Sequence, residues 1–387
     1  MANKKARVIA FYLPQFHPIP ENDKWWGKGF TEWTNVGKAK PLFKGHYQPR
    51  VPADLGYYDL RLPEVREAQA QMAREAGIEG FCYWHYWFGN GRQLLERPFN
   101  EVLETGKPDF PFCLGWANHT WKTATWVQKD GTMRDEMIAE QLYPGREDYK
   151  MHFEYVLKAF KDPRYIRVDG KPIFVVFSPN DIPNCKSDFI DYWQQLAKEN
   201  GLPGIHFVGY TENTGKMKGS SVKDIASAFP TDQVTYFYNR VLNQGFDAVC
   251  SLGLHRSETL LQGKLMFLLK RQLYHRFGIS MVKTFDYEKI MDVYYTEEDK
   301  WENVYPTLLP QWDRSPRSGG FNGIYVNSTP ENFKKAIQKA LSLLGEKEDE
   351  HKILFLKSWN EWAEGNYVEP DQKYGHGFLD AIKETIM

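Results

Sequence analysis

The 387-residue chain lacks several features that would assign it to a common functional class. Its four cysteines, Cys82, Cys113, Cys185 and Cys250, lie far apart and form no C-x-x-C pair, which argues against a zinc ribbon or a redox motif. No G-x-G-x-x-G, G-x-x-x-x-G-K-[ST] or D-x-D motif occurs, so the sequence indicates neither a phosphate loop nor a metal-bound nucleotide sugar. The formal net charge is -1, which gives no reason to expect nucleic acid as a partner.

The chain also lacks a hydrophobic run long enough to span a membrane. The N-terminal sequence MANKKARVIAFYLPQFH is basic and then apolar, but the apolar run stops at Pro14 without a small-residue cleavage site. It is therefore interpreted as a first strand and not as a signal peptide, and a soluble protein of the reducing cytoplasm is expected. The segment GKLMFLLKRQLYHRFG has two interpretations. The favoured one is a helix packed on the domain with a solvated basic side, and the other is a peripheral contact with a membrane surface.

Short, continuous apolar runs recur along the chain, with helical patterns between most of them, as is typical of parallel strands covered on both faces. The predicted strands are residues 7–13, 79–84, 112–116, 172–177, 205–210, 246–250, 305–311 and 353–359. The predicted helices with clearly marked ends are residues 62–76, 147–161, 189–199 and 330–344. This alternation predicts an α/β fold, a (β/α)8 TIM-type barrel that forms one domain over residues 1–387. A doubly wound open sheet is the alternative.

Two connections are too long to be simple linkers. The first, after strand one, runs from residue 14 to about residue 60 and is rich in proline, glycine and aromatic residues without clear periodicity. The second, after strand six, runs from residue 251 to about residue 304. Long irregular loops inside compact domains are usually functional, and the aromatic content of the first argues against disorder.

Aromatic residues are abundant, because Phe, Trp and Tyr make up 16% of the chain and 13 residues are tryptophan. Eleven tryptophans end or follow a predicted strand: Trp25, Trp26, Trp33, Trp84, Trp87, Trp116, Trp121, Trp126, Trp312, Trp359 and Trp362. In a barrel the carboxyl ends of all strands form one face that holds the active site, so these side chains are predicted to ring one mouth. Core packing is the plainer explanation, but it would not favour one end of every strand. A carbohydrate-binding cleft is therefore favoured.

Polar side chains at the same strand ends would supply hydrogen-bonding partners for such a cleft. The substrate-binding residues predicted from these positions are Tyr12, His17, Trp84, His85, Trp87, Trp116, Asn118, His119, Trp121, Trp312, Asp313, Arg317, Asn360 and Trp362. A single histidine in an aromatic run is more often structural than catalytic. The alternative of a metal site at His17, His85 and His119 is not favoured, because their spacing matches no metal motif. No cofactor is predicted.

The stretch SWNEWAEGNYVEP contains two glutamates three residues apart, Glu361 and Glu364, directly after the apolar run ILFL. On a continuing strand they would point to opposite faces, so both can enter one pocket only if the chain turns after Trp359. In a turn or helix such residues are neighbours, with about 5–6 Å between Cβ atoms. Retaining glycosidases hold their two carboxyls roughly 5–5.5 Å apart. The alternative is a pair of helix-N-terminal glutamates stabilised by the helix dipole, and the pattern alone does not decide between the two.

The motifs KGFTEWTNV, GIEGFCYWHYWF, WANHTW and SWNEWAEGNYVEP together resemble those of the WbsX family, proteins of bacterial surface-polysaccharide loci that are often described as glycosyltransferases. The resemblance extends over nearly the whole chain. The WbsX family is in turn similar to glycoside hydrolase family 99, which comprises endo-acting α-mannosidases and mannanases with a (β/α)8 barrel. This second resemblance depends on the barrel order, on Tyr12 after strand one and on the NEWxEG block after strand eight.

The resemblance to family 99 implies that Glu361 acts as a base on the 2-hydroxyl of the sugar, whose oxygen attacks the anomeric carbon to give a 1,2-anhydro intermediate. It implies that Glu364 protonates the leaving oxygen and later activates water, with net retention. The first loop, with Glu32 and Trp33, and the asparagine and histidine of WANHTW belong to the WbsX type. Glu32 and Trp33 therefore join the predicted substrate-binding residues, and the sugar need not be mannose.

Three functions are compatible with the sequence. The first is a retaining, endo-acting glycoside hydrolase that acts on a bacterial surface polysaccharide or its lipid-linked precursor. The second is a glycosyltransferase or transglycosidase in O-antigen or capsule biosynthesis. The third is a carbohydrate-binding protein without catalysis. An oligosaccharide or polysaccharide is the expected partner in each case, and nothing in the sequence demands more than a monomer.

Overall fold

The computed structural model describes residues 4–123, 136–212, 233–263, 282–321 and 323–387 of the chain. Trp126 and all but the first residue of the segment GKLMFLLKRQLYHRFG lie outside the described residues. The predictions that involve them, a place for Trp126 at the mouth and a packing helix or membrane contact for the segment, therefore stay predictions. Within the described ranges, no helix combines the length and the apolar character that crossing a bilayer requires.

Eight parallel strands form a closed barrel in which each strand pairs with its neighbours along the chain and the last pairs with the first. In chain order they are β1 (Arg7–Tyr12), β2 (Gly80–Trp87), β3 (Phe112–Trp116), β4 (Lys171–Val176), β5 (His206–Glu212), β6 (Ala248–Leu252), β7 (Val304–Leu308) and β8 (Ile353–Leu356). The predicted (β/α)8 barrel is confirmed, since every predicted strand overlaps an observed one.

Helices surround the barrel and fill its connections. In chain order they are α1 (Pro20–Trp26), α2 (Glu32–Lys38), α3 (Pro63–Glu75), α4 (Arg97–Thr105), α5 (Arg146–Phe160), α6 (Asp191–Glu199), α7 (Val234–Leu242), α8 (Leu254–Gln262), α9 (Tyr287–Tyr294), α10 (Ser315–Ser318), α11 (Pro330–Ser342) and α12 (Gly377–Ile386). The four predicted helices correspond to α3, α5, α6 and α11. A π-helical turn, Cys185–Ile190, precedes α6 and accounts for the earlier start predicted there.

The connections between these strands and helices also contain short strands and 3₁₀ turns. The short strands are Gln93–Leu94, Trp121–Lys122, Met137–Ala139, Arg167–Val168, Lys283–Asp286, Gly323–Val326, Asn360–Glu361 and Asn366–Tyr367. The 3₁₀ turns are Pro179–Asp181, Glu297–Lys300, Gly319–Phe321, Asp349–His351 and Trp362–Glu364. Two of the short strands, Lys283–Asp286 and Gly323–Val326, pair in parallel outside the barrel and join the loops that follow β6 and β7.

The loop after β1 is more regular than the sequence predicts, because it contains α1 and α2. Both helices have only seven residues, too few for a recognisable hydrophobic period, so local signals define them. Pro20 occupies the first turn of α1. Thr31 caps α2 in a capping box with Thr34. As a result, the first residue of α2 is Glu32, whose side chain points into the protein.

Aromatic rings fill the barrel interior. Phe11 stacks on Trp84 with ring centroids 4.6 Å apart and on Phe355 with centroids 5.1 Å apart. Gly115 lies opposite Trp84 on the neighbouring strand, and a Cβ at that position would lie 2.9 Å from the Trp84 ring. Glycine therefore makes room for the indole. Because Trp84 also faces the carboxyl-end cavity, this aromatic packing continues from the core into the floor of the candidate site.

Candidate active site

The carboxyl ends of the barrel strands surround a cavity of about 420 Å³. Its lining includes Leu13 after β1, Trp84 and Tyr86 of β2, His119 after β3, Phe177 after β4, Tyr210 and Glu212 of β5, Leu252 of β6, Trp312, Arg314 and Arg317 after β7, and Lys357, Glu361 and Glu364 after β8. All eight strands thus contribute to one concave site at the face where barrel enzymes carry their active sites.

Both glutamates reach this cavity because the chain folds back directly after β8. Asn360–Glu361 pairs antiparallel with Asn366–Tyr367, and the 3₁₀ turn Trp362–Glu364 connects the two segments. The turn that the spacing of the glutamates required is therefore present, and it lies among buried residues. The alternative of two glutamates on the first turn of a long helix does not apply, since this 3₁₀ turn has only three residues.

Two small residues allow this tight fold. Gly365 ends the turn in the left-handed region with φ 55°, and a Cβ at this position would lie 2.7 Å from the Cβ of Asp313. The Ser358 hydroxyl accepts a hydrogen bond from the backbone nitrogen of Glu361 at 3.0 Å and donates one to the carbonyl of Asn366 at 2.9 Å. The backbone of the glutamate pair is therefore fixed by local hydrogen bonds before any ligand binds.

Glu364 is buried against two guanidinium groups. Arg317 donates from Nη1 to Oε1 of Glu364 at 2.7 Å, and Nε of Arg314 lies 3.2 Å from the same oxygen. Burial by itself would raise the pKa of Glu364, but the attraction of Arg314 and Arg317 outweighs it and holds the pKa well below its usual value. Glu364 is therefore ionised at neutral pH.

Glu361 has a weaker cationic partner than Glu364. The Nζ of Lys357 lies 3.5 Å from Oε2 of Glu361. Burial, together with the charge of Glu364, outweighs the attraction of Lys357 and raises the pKa of Glu361 to about 7. The two carboxyls thus differ in protonation near neutral pH, which is the difference that a general acid and a base require.

Glu32 lies behind Arg317 and does not line the cavity, so its predicted contact with substrate is corrected to a contact with the protein itself. Its Oε1 accepts from Nη2 of Arg317 at 2.6 Å and from the backbone nitrogen of Ala363 at 3.2 Å. The side chain is fully buried. Arg317, also predicted for the cleft, does line the cavity and is held between Glu32 and Glu364.

Among the described residues, four tryptophans line the cavity: Trp26, Trp84, Trp121 and Trp312. The prediction that eleven would ring this mouth is wrong, because most of the other described tryptophans pack away from the cavity. Tyr86, Phe177 and Tyr210 supply further rings to the wall. Aromatic rings interspersed with carboxyl, guanidinium and amine groups form a mixed apolar and polar surface, which is suited to a ligand with apolar faces and many hydroxyls.

Alternation along the strands excludes three of the predicted residues. Trp84 points into the barrel, so its neighbour His85 and then Trp87 point toward α5, where Nε2 of His85 lies 2.8 Å from Nε2 of His152 and Trp87 stacks on the His152 ring at 4.7 Å. Trp116 lies opposite His85 in the parallel register and also packs against His152, at 4.9 Å. His85, Trp87 and Trp116 therefore pack the barrel against α5 and do not line the cavity.

Asn360 connects the turn to the start of the first loop and does not line the cavity. Its Oδ1 accepts from the backbone nitrogen of Leu13 at 2.8 Å, and its Nδ2 donates to the carbonyl of the same residue at 3.1 Å. The oxygen and the nitrogen of the amide thus both pair with the backbone of one residue. Its role is to hold the glutamate turn against the carboxyl end of β1.

Tyr12, Trp33 and Trp362 belong to a buried network beside the cavity rather than to its lining. Its centre is Glu369, whose carboxylate accepts from Nε1 of Trp362 at 2.7 Å and from Nε2 of Gln69 at 2.7 Å. Tyr12 donates in turn to Oε1 of Gln69 at 2.6 Å, and the ring of Trp33 packs on Trp362 at 5.2 Å. Burial raises the pKa of Glu369 to about 7. This network supports the glutamate turn from behind.

The remaining predicted residues divide between the cavity and its walls. His119 lines the cavity, and burial lowers its pKa to about 4, so the imidazole is neutral near pH 7. Asn118 bridges to the backbone of Ser178, accepting at 2.8 Å and donating at 2.9 Å, and so joins the ends of β3 and β4. Asp313 is fully buried behind the cavity, where it accepts from Gln48 at 2.7 Å. His17 is buried away from the cavity lining.

Several cavity residues were not predicted from the sequence: Tyr86, Phe177, Tyr210, Glu212, His255, Glu258 and Lys357. Tyr210 and Glu212 end β5, and Lys357 is the first polar residue after β8, so the rule that placed the tryptophans at strand ends would have found them. His255 and Glu258 lie on α8 within the second long loop, where no local pattern marks them. In the described part of the chain, no group of three or more His, Cys, Asp or Glu side chains could hold a metal ion.

Comparison with known proteins extends over almost the whole chain. The family model described as Glycosyltransferase WbsX matches residues 8–382. Two proteins described as WxcX, from Xanthomonas campestris pv. campestris strains B100 and ATCC 33913, are 33% and 34% identical over 387 aligned residues. The alignments cover 98% of this chain and 50% of each relative, so the chain spans about half the length of the curated relatives it matches.

Similar solved structures support the fold. A glycoside hydrolase-like protein has a TM-score of 0.59 at 16% identity, with 100% of this chain and 95% of the other covered. The GH99 endo-α-mannosidase from Bacteroides thetaiotaomicron, in complex with BIS-TRIS-propane, has a TM-score of 0.53 at 14% identity, with 98% and 95% covered. At these identities the likeness concerns the barrel architecture alone.

Proposed function

The chain belongs to the WbsX family, and from this premise and the geometry of the glutamate pair we propose that it is a carbohydrate-active enzyme. Within that class we propose a retaining, endo-acting glycoside hydrolase that acts on a bacterial surface polysaccharide or its precursor. The observation that carries the proposal is the pair Glu361 and Glu364. Two buried carboxyls, adjacent but with opposite pKa shifts, face one aromatic-walled cavity at the carboxyl ends of the strands.

The proposed reaction passes through a 1,2-anhydro sugar. One carboxylate takes the proton of the 2-hydroxyl, whose oxygen then bonds to the anomeric carbon as the glycosidic bond breaks. The other carboxyl gives its proton to the leaving oxygen. Water then opens the strained ring at the anomeric carbon, and two inversions give net retention. Because the sugar supplies its own nucleophile, two adjacent carboxyls are enough for both steps.

The cavity walls are proposed to bind the sugar rings. Trp84, Trp121 and Trp312 offer apolar faces, and the carboxyl and cationic groups between them offer partners for hydroxyls. A glycosyltransferase or transglycosidase is the second candidate, favoured by the description of the matching family model. The same pair of glutamates would serve it, because a sugar hydroxyl can open the intermediate in place of water. A role in the biosynthesis of O-antigen or capsule polysaccharide is proposed only for this second candidate, the glycosyltransferase or transglycosidase.

Incubation of the protein with bacterial surface polysaccharides and their oligosaccharides tests the hydrolase proposal. New reducing ends, followed by proton NMR of the anomeric signals, are expected with at least one glycan, and the first anomer formed should match the configuration of the cleaved bond. Consumption of a nucleotide sugar without glycan cleavage would favour the transferase instead. Tight glycan binding that Glu364→Gln leaves unchanged, with no turnover by the wild type, would indicate a binding protein.

Substitution of two tryptophans tests the proposed sugar-binding wall. Trp121→Ala removes a half-buried ring of the cavity and is expected to weaken glycan binding about tenfold, or about 1.4 kcal/mol, with little change in stability. Trp87→Ala is the matched comparison, because that ring packs against α5. It is expected to lower the free energy of unfolding by about 3–5 kcal/mol while leaving the affinity of the folded protein nearly unchanged. Calorimetric titration and urea unfolding measure the two quantities, and the opposite pattern would contradict the proposed wall.

A further inference from the structure

The segment that follows β1 forms a part of the cavity wall that carries no charge. It contributes Leu13, Gln15, Asn22 and Trp26, which together are called the neutral wall below. The charged or ionisable residues of the described lining come from β5 or from the segments after β3, β6, β7 and β8: Lys122, Glu212, His119, His255, Glu258, Arg314, Arg317, Lys357, Glu361 and Glu364. The neutral wall itself therefore offers no opposite charge to a charged group of a ligand.

The two polar side chains of the neutral wall are buried amides. Gln15 is 6% exposed and Asn22 is 1% exposed. In the part of the chain that the structure describes, the side-chain amide of Gln15 makes no hydrogen bond, and Nδ2 of Asn22 is buried without a partner. A buried amide without a partner destabilises the free protein, because it has lost its hydrogen bonds to water. A ligand group that pairs with both amides would recover this loss.

Amides with a structural role beside the cavity are paired differently. Both amide atoms of Asn360 bond to the backbone of Leu13. Gln69 donates to Glu369 at 2.7 Å and accepts from Tyr12 at 2.6 Å. Neither Asn360 nor Gln69 lines the cavity. These two amides thus use their hydrogen-bonding capacity inside the protein, whereas the amides of the neutral wall keep theirs for a ligand.

The backbone that carries the neutral wall is fixed by internal contacts. The carbonyl of Gln15 accepts from the backbone nitrogen of Glu32 at 3.0 Å, and the ring of the next residue, Phe16, packs on Trp33 at 4.9 Å. Asn22 precedes Trp26 by four residues on α1, so these two side chains share one face of the helix. Two neutral hydrogen-bonding groups and an apolar ring are therefore presented in one place.

An acylamino group has the chemistry that such a wall would recognise. It is a planar trans amide whose N–H and C=O point in opposite directions, so it needs two separate partners. The methyl of an acetyl group adds an apolar end that can pack on an indole. A hydroxyl lacks this apolar end, and a carboxylate, phosphate or ammonium group would be desolvated there without an opposite charge.

We propose that the neutral wall binds an acylamino substituent of the substrate. Asn22 donates to the acyl oxygen, Gln15 accepts from the N–H, and the acyl methyl packs on Trp26. The assignment rests on the carbohydrate-directed function proposed above and names its substrate class, a polymer that contains N-acylated amino sugars. The substituent belongs to the ring beside the reacting one, because the reacting ring needs a free 2-hydroxyl to form the 1,2-anhydro intermediate.

Saturation-transfer NMR with small glycosides tests the assignment without any turnover. The probes are the methyl glycosides of 2-acetamido-2-deoxyglucose and 2-acetamido-2-deoxygalactose, each compared with the glycoside that has a hydroxyl at the same carbon. We expect at least one acetamido probe to bind about tenfold more tightly than its hydroxyl counterpart. Its acetyl methyl should receive the strongest saturation. Equal affinities within each pair, or no binding of either acetamido probe, overturn the assignment.

Apolar substitutions of the two amides separate recognition from a structural role. Gln15→Met and Asn22→Leu keep the approximate shape of each side chain but remove its hydrogen-bonding groups. Because these amides have unused capacity in the free protein, the thermal midpoint should stay unchanged or rise. The preference for the acetamido probe should fall about tenfold, with little change in the affinity for the hydroxyl probe. An acetamido preference that persists in both variants contradicts the proposed contacts.

Gln69→Met is the matched control, since it is the same substitution at a buried amide whose two atoms are paired. It should lower the thermal midpoint, because Tyr12 and Glu369 each lose a buried partner. If Gln15→Met and Asn22→Leu lower the midpoint as much as Gln69→Met and leave the acetamido preference intact, the two amides are structural and the assignment is wrong.

The assignment and the hydrolase function fail in different experiments. A protein that binds an acetamido probe as expected but cleaves no glycan contradicts the hydrolase function and supports the neutral wall as a binding site. A protein that cleaves a polymer without acylamino groups, at a rate that Gln15→Met and Asn22→Leu leave unchanged, supports the hydrolase function and overturns the assignment.

Discussion

Glu361→Gln and Glu364→Gln are each expected to lower kcat/KM for the cleaved glycan by roughly 10²–10⁴-fold, the range typical of general acid–base groups. Glutamine keeps the shape of the side chain but can neither accept nor donate a proton at the required pKa. The double variant should be only slightly slower than the more damaged single variant, because two groups that act in one step are not additive.

The control for these substitutions is Glu67→Gln, an exposed position on α3, which should leave kcat/KM unchanged. Thermal unfolding of each variant checks that the barrel is intact. The expected pattern is a loss of turnover with glycan binding retained, since the carboxyls act on the reacting bond while the aromatic wall holds the rings. A Glu364→Gln protein that cleaves at the wild-type rate would rule out the pair as the catalytic centre.

Trp362→Ala is expected to lower the free energy of unfolding by about 3–5 kcal/mol, the cost typical of truncating a buried aromatic side chain. The indole stacks on Tyr367 with centroids 3.7 Å apart and planes 11° apart, and its Nε1 donates to Glu369 at 2.7 Å. Its removal leaves a cavity and takes a donor from a buried carboxylate. Because Trp362 lies between the two glutamates in sequence, turnover by the folded variant should fall as well.

Two further tryptophan substitutions make this prediction specific. Trp362→Phe keeps a ring against Tyr367 but removes the hydrogen bond to Glu369, so a smaller loss of about 1–3 kcal/mol is expected. Trp25→Ala removes a half-buried indole outside this network and should cost less than either. Urea unfolding followed by tryptophan fluorescence and circular dichroism measures the differences. Equal stabilities for Trp362→Ala and Trp25→Ala would show that the buried network does not hold the turn.

The barrel itself could be predicted because its signal is local and repeated. Each strand is a short apolar run buried on both faces, and helical periodicity follows most of them, so eight strands could be placed from the sequence without knowing how they pair. The turn after Trp359 could also be predicted, since two acids three residues apart at the end of a strand can share a pocket only if the strand stops there. Both inferences use neighbouring residues alone.

The contacts of individual side chains were harder to predict, because alternation on a strand reverses with a one-residue shift. Trp84 and Trp87 both lie near the carboxyl end of β2, and both were predicted to line the mouth of the barrel. Trp84 lines the cavity, whereas Trp87 packs against α5. The support of Arg317 by Glu32 joins residues separated by 285 positions, and no local pattern reports such a pair. Composition therefore identified the aromatic character of the site, but not which rings form it.

The most direct test of the glutamate pair as a catalytic centre is a crystal structure of the Glu364→Gln variant with an uncleaved oligosaccharide of the polymer that the wild type cleaves. We expect a sugar ring against the aromatic wall near Trp84, with its anomeric carbon beside the side chains at positions 361 and 364 and the scissile oxygen within hydrogen-bonding distance of one of these two side chains. A glycan bound outside the carboxyl-end cavity, or one whose scissile bond lies beyond the reach of both side chains, would contradict the account.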